Sequence, residues 1–244
     1  MFSPVIIIPC YNHVDAFETF AIKIAQIGFP VIVVDDGGTP SQSRKLNKIC
    51  ANHGFEYVHN SKNGGKGRAM KIGFNVARDV GFTHGLQIDA DGQHDAADIA
   101  KFFALAEKNP NALIVGNPVY DDSAPRARRI GRKITDFWVA IETLNRHMPD
   151  AMCGLRVYPL DDTCAEMEYL RFYRMGFDIE ILVKLYWRGL KIITHPTRVI
   201  YPIGGTSNFR MLRDNLCIFL LHTYLCAIMP VGMLKRIIRH GKRN

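Results

Sequence analysis

The chain has 244 residues, of which 48% are hydrophobic and 22% charged, and a formal net charge of +8. That suits one α/β domain with at most a modest appendage, and it excludes a disordered or fibrous protein and a long multidomain assembly. Seven basic residues and one acid fall between Thr206 and Asn244, so the tail holds six of the eight excess charges; the nearly neutral body is a poor fit to a nucleic-acid-binding domain.

The chain opens with Met1-Phe2-Ser3-Pro4, which lacks a basic n-region and leads straight into an apolar run at 5–8, so no secretory signal is expected. The runs at 5–8 and 31–34 are continuous rather than alternating, which predicts strands buried on both faces. Between them, Phe17, Phe20, Ile24 and Ile27 follow helical spacing, with Gly28 as a stop. Helices are expected near 41–52, 67–79 and 96–108, and strands near 55–58, 85–88 and 113–116. This alternation predicts a doubly wound, mostly parallel α/β sheet with right-handed crossovers, whose ligands bind beyond the carboxyl ends of the strands. The six cysteines, at 10, 50, 153, 164, 217 and 226, show no CxxC spacing. A reduced, cytoplasmic setting without zinc is the simplest reading.

Three of the predicted strand ends carry polar or acidic groups: Pro9-Cys10-Tyr11-Asn12, Asp35-Asp36-Gly37-Gly38-Thr39 and Asp89-Ala90-Asp91-Gly92-Gln93-His94. A single acidic loop is usually turn and cap chemistry. Three on one sheet edge favour a site. Asp89 and Asp91, two apart on extended backbone, point the same way, and with Gln93 they form a hard oxygen set suited to Mg²⁺ or Mn²⁺. Gly64-Gly65-Lys66-Gly67-Arg68 offers N–H groups and cations to a phosphate but has neither P-loop nor GxGxxG spacing.

These segments, in this order, resemble the family 2 glycosyltransferases, in particular the polyprenyl-phosphate (dolichol-phosphate) mannosyl- and glucosyltransferase group. Asp150-Ala151-Met152-Cys153-Gly154-Leu155-Arg156 is similar to that group's Asp-x-x-x-Gly-Phe-Arg segment, with Leu155 in place of Phe. Phe177-Asp178-Ile179-Glu180 and Gly189-Leu190-Lys191-Ile192 resemble its next element. The resemblance spans about residues 4–200 and implies a GT-A fold and a catalytic domain over 1–205. It further implies inverting transfer from a nucleotide-diphosphate sugar with Mg²⁺ or Mn²⁺. It places Pro9, Tyr11, Asn12, Asp35, Asp36, Lys66 and Asp89 at the nucleotide sugar, and Asp89, Asp91 and Gln93 on metal and pyrophosphate. It implies as acceptor a polyprenyl phosphate or a lipid-linked glycan. A lipid phosphate is already anionic, whereas a hydroxyl needs a base, for which Asp150 and Asp178 are the candidates beside catalytic Asp91. Arg156 is placed to pair with an acceptor phosphate or with Asp178.

Arg126, Arg128, Arg129, Arg132 and Lys133 pack five cations into eight residues directly before a predicted apolar helix at 134–144. They read as a solvated face or as a patch for anionic headgroups and the acceptor. Ser207 and Arg210 stand where the family carries a Ser-Lys loop, with Asn208 in the Lys place. The tail, 206–244, holds an apolar helix at 216–234. At about 28 Å it is short for a bilayer core and contains His222, so an in-plane helix on an anionic membrane surface is expected, at the cytoplasmic face. Packing on the catalytic domain or in a homo-oligomer is the plainer alternative. Two further readings are a phosphohydrolase using Asp89 and Asp91, which the mid-chain DxD and Gln93 fit poorly, and a non-enzymatic anionic-membrane-binding module.

Overall fold

The computed structural model describes residues 1–120, 126–199 and 211–243. Side-chain positions are described for these except 120, 126–128, 211 and 240–243. The first half alternates as expected: β1 (Pro4–Cys10), α1 (Val14–Ala25), β2 (Val31–Asp35), α2 (Pro40–His53), β3 (Glu56–His59), α3 (Lys66–Val80), β4 (His84–Gln87), α4 (Asp98–Lys108) and β5 (Ala112–Tyr120). There follow α5 (Arg126–Thr143), β6 (Arg156–Pro159), α6 (Leu160–Met167), α7 (Phe177–Trp187), β7 (Lys191–Val199) and α8 (Met211–Arg243).

The seven strands form one sheet in the order β3-β2-β1-β4-β6-β5-β7. Pairing is parallel throughout except around β6, which runs antiparallel to both β4 and β5. Continuous apolar strands bury both faces. Val5, Ile7, Ile32 and Val34 pack with Ala69, Met70, Phe74 and Ala77 of α3 and with α6, α7 and α8. Ile6, Ile8, Val31 and Val33 pack on the other face with α1, α2 and α4. Helices on both faces leave only the carboxyl edge of the strands open to a ligand.

Two expectations need correction. The basic run does not precede the predicted helix at 134–144 but forms the first turns of α5, because Arg and Lys are good helix formers. The tail helix is 33 residues long and not 19, and it continues through Pro230. It packs against α5 and α7, where Leu221 and Leu225 are fully buried. His222 also turns inward, its Nδ1 lying 2.7 Å from Glu142 Oε1 of α5. Within α8, Leu212–Arg239 is long and apolar enough to cross a membrane, by length and composition.

Candidate active site

The site gathers at the carboxyl ends of β1, β2 and β4. Tyr11 stands exposed just past β1, beside half-buried Pro9, and Asn12 takes the left-handed conformation that Asn tolerates (φ 55°). Asn12 Oδ1 accepts a long bond from the Thr39 N–H at 3.4 Å. The next two aspartates are buried and hydrogen-bonded within the protein. Asp35 is 2% exposed; its carboxylate accepts from Gly38 N–H at 3.0 Å and Tyr57 O–H at 2.8 Å and lies 3.2 Å from His59 Nδ1. Burial opposes its ionisation, but the bonds from Ser43, Gly38, Tyr57 and His59 outweigh it and hold its pKa below the usual range. Asp36, also buried, accepts from Gly64 N–H at 3.0 Å, Gly65 N–H at 2.7 Å and Asn60 Nδ2 at 2.9 Å. Through these bonds both help to fix the surrounding loops.

What Asp36 positions is the glycine-rich loop. Gly65 has φ 90°, and a Cβ there would meet Tyr173 O at 2.7 Å and Arg174 Cγ at 2.6 Å. The loop delivers Lys66 to the start of α3, where its Nζ lies 2.8 Å from Asp89 Oδ1 and 2.8 Å from Asp178 Oδ2. Asp178, in the first turn of α7, also accepts from Gln87 Nε2 at 2.8 Å, and Gln87 Oε1 in turn accepts from Tyr158 O–H at 3.1 Å. Burial opposes charge on Lys66 and Asp178, but their attraction outweighs it: the Lys66 pKa lies above its ordinary value and that of Asp178 below. The cation thus joins α3, β4 and α7 at one point. Gln87, Tyr158 and this threefold junction were not foreseen, although a glutamine inside an otherwise apolar strand was a visible signal.

Asp91 lies two residues beyond Asp89, and its Oδ1 accepts the Gln93 N–H at 3.0 Å. Burial, reinforced by the charge of Asp89, pushes its pKa up to about 6. Two carboxylates that repel one another in a half-buried site fit a hard divalent cation. The described residues contain no group of three His, Cys, Asp or Glu able to hold a metal. An ion on Asp89 and Asp91 would therefore keep coordination positions for phosphate oxygens and water. Gly154 closes the other side, for a Cβ there would sit 2.2 Å from Asp89 Oδ2.

Three further expectations are revised by geometry. Arg156 is fully buried and donates to the backbone carbonyls of Ala151, Cys153 and Asp178 at 2.7–2.9 Å, so it braces the loop and α7 and reaches no acceptor. Asp150 pairs with Arg132 Nη1 of α5 and accepts the Met152 N–H at 2.8 Å. Asp178 is held by Lys66. Each of these carboxylates is thus paired with a cation. Arg129 and Lys133 are exposed on α5. Arg126 and Arg128 stand in its first turn with side chains outside the described residues, and Ser207 and Arg210 lie outside them altogether.

Known proteins resemble this chain in sequence and fold. The sequence model for glycosyl transferase family 2 matches residues 5–168. The chain is 25% identical over 224 residues to glycosyltransferase AglJ of Haloferax volcanii, covering 88% of this chain and 69% of that one. It is 24% identical over 214 residues to the UDP-N-acetylglucosamine–dolichyl-phosphate N-acetylglucosaminyltransferase of Methanococcus voltae, covering 80% and 85%. Among solved structures, glucosyl-3-phosphoglycerate synthase from Mycobacterium tuberculosis with Mn²⁺ and uridine-diphosphate-glucose superposes with a TM-score of 0.67 at 14% identity, over 93% of this chain and 79% of that one. That likeness is one of fold, the GT-A arrangement of a mostly parallel sheet between helices. With the ordered strand-end motifs, the sheet that presents them and a match over two thirds of its length, the chain belongs to glycosyl transferase family 2.

Proposed function

We propose that the chain moves a sugar, with inversion, from a nucleoside-diphosphate sugar to a lipid phosphate at the cytoplasmic surface of a membrane. The relative from Methanococcus voltae, named for a dolichyl-phosphate acceptor, supports this choice. One observation carries it. The two carboxylates that a hydroxyl acceptor would need as bases, Asp150 and Asp178, are each committed to a cation. An acceptor that arrives as a phosphate anion needs no proton removed.

In this reading Tyr11, Pro9 and the loop fixed by Asp36 border the nucleotide. Asp89 and Asp91, with Gln93, would hold Mg²⁺ or Mn²⁺. When bound, the ion neutralises charge that builds on the departing diphosphate. Lys66 stays protonated between Asp89 and Asp178 and keeps Asp89 in place. Arg132, close to the site through Asp150, with Arg129 and Lys133 on the same helix, supplies positive potential where an anionic acceptor would approach. Calorimetric titration with UDP and GDP, each with and without Mn²⁺ or Mg²⁺, tests the reading. Metal-dependent binding that vanishes in folded Asp89→Ala and Asp91→Ala variants is expected. If neither diphosphate binds at millimolar concentration, the proposal fails.

A further inference from the structure

A cavity of about 520 Å³ lies beside the C-terminal half of α7, walled by α6, α7 and α8. Asp178 stands in the first turn of α7, whereas Lys184, Trp187 and Arg188 line the cavity at its other end, roughly 14 Å away along the helix. Five cations line this space, and the acid among its walls is Glu166.

Two of the five are neutralised. Lys184 Nζ lies 2.8 Å from Glu180 Oε1, and Arg188 pairs with Asp162 at 2.7 Å and Glu166 at 3.5 Å. Arg171, Lys235 and Arg239 form no ion pair with a carboxylate among the described residues. The Arg171 guanidinium lies 4.9 Å from the centre of the Tyr224 ring, which fixes it against an aromatic wall. Lys235 and Arg239, one turn apart on α8, face the same space. Against Glu180, Asp162 and Glu166 the five cations still leave a surplus of positive charge, although Lys235 also lies in the field of Glu166, and such a surplus in a concave site recruits an anion. The guanidiniums of Arg171 and Arg239 suit the planar, two-pronged recognition of phosphate.

Beside the cation row, α8 exposes a second row, Leu220, Val231, Leu234 and Ile238, at helical spacing. Val231 belongs to both, being exposed and a cavity wall. We infer that this cavity is a phosphate-binding site separate from the transfer centre, built for a phosphate ester whose carrier lies against the apolar row of α8. That row favours a membrane lipid as the carrier. The inference stands on cavity, charge and helix face, and it does not depend on the glycosyl-transfer reading.

Co-sedimentation of the full chain with phosphatidylcholine vesicles, with and without phosphatidylglycerol, tests it, alongside calorimetric titration with glycerol 1-phosphate. Arg171→Ala/Lys235→Ala/Arg239→Ala is compared with Lys23→Ala/Lys48→Ala/Lys108→Ala, which removes the same charge from exposed positions elsewhere. The single variant Arg239→Glu serves if the cavity triple fails to fold. The cavity variant is expected to lose about tenfold or more in affinity for phosphatidylglycerol vesicles, and the control less than threefold. Glycerol 1-phosphate binding that the cavity variant abolishes assigns the site to soluble phosphate esters as well; vesicle binding alone assigns it to headgroups. Equal losses in both triples, or no loss in either, overturn the inference. Metal-dependent nucleoside-diphosphate affinity, measured on the same proteins, stays unchanged in the cavity variant, so failure here and failure of the transferase reading are distinguishable.

Discussion

Gly154 offers a way to disturb the reaction centre without substituting any of its polar groups. A methyl at this position would sit 2.2 Å from Asp89 Oδ2 and 2.8 Å from its Cγ. Non-bonded carbon and oxygen need more than 3 Å, so the Asp89 carboxylate must move by about 1 Å. Asp has only two side-chain torsions to accommodate this, and movement breaks the 2.8 Å contact with Lys66 Nζ. A displaced Asp89 also loses one charge-assisted contact to the bound metal–diphosphate, worth about 1.5–3 kcal/mol, which is about 10- to 150-fold in affinity. Gly154→Ala should therefore raise the Kd for a nucleoside diphosphate with Mn²⁺ by that factor in calorimetry. Gly131 in α5 is the control, because a Cβ there has no atom within 4 Å. Gly131→Ala should leave binding unchanged and add up to about 1 kcal/mol of stability through helix propensity. A Gly154→Ala protein that binds within threefold of the parent, while folding normally, would show that Asp89 does not hold the donor.

Lys66→Met leaves the buried Asp178 carboxylate without its cation and should cost about 2–4 kcal/mol in urea denaturation. Lys66→Met/Asp178→Asn should recover most of that loss yet still fail to bind donor, and a double variant as unstable as the single one would refute the pairing. Asp136 gives a pH signature: burial, reinforced by Asp150, pushes its pKa up to about 6 from an ordinary 3.8. The native state thus keeps this proton to higher pH than the unfolded state, so stability present below about 3.8 is lost as pH rises through about 6. Asp136→Asn, which retains an acceptor for the Ala151 N–H, should stabilise the protein by about 1–2 kcal/mol near neutral pH, after discounting for solvent screening. Near pH 3.5 the gain should vanish, and a gain independent of pH would exclude ionisation as its cause.

The half of the fold built from continuous apolar strands was readable because burial on both faces removes every polar residue from 5–8 and 31–34. The other half hides its elements. β6 is four residues bounded by Arg156 and Pro159, and its arginine is buried by backbone acceptors that no local pattern announces. Ten of the eleven residues of α7, charged ones included, are buried, so it lacks the polar stripe that marks a helix. The DxD and glycine-rich loops were legible as motifs, but their partners were not. Lys66 and Asp178 are 112 residues apart, and Asp35, adjacent to Asp36, bonds to Tyr57 of β3. Spacing along the chain reports on neighbours in one element; it is silent on which distant helix brings the counter-charge.

The place of β6 in the sheet also governs how the chain can assemble as it is synthesised. The strands from β1 to β4 pair with one another and can close as they emerge, leaving the β4 edge for β6, whereas β5 pairs only with β6 and β7. Once residue 120 has left the ribosome, β5 has no edge to join until residues 156–159 settle against β4. A nascent chain ending at residue 168, where the family match ends, would carry both DxD carboxylates and Lys66 but no α7 to complete the junction. Until β6 docks, it would also present the bare edge of β4, an invitation to pair with a neighbouring chain. Long-range closure of this kind slows folding. The Lys66–Asp178 junction is consequently among the last features to form, and a product truncated there would hold its donor-side groups without the α7 carboxylate that anchors Lys66.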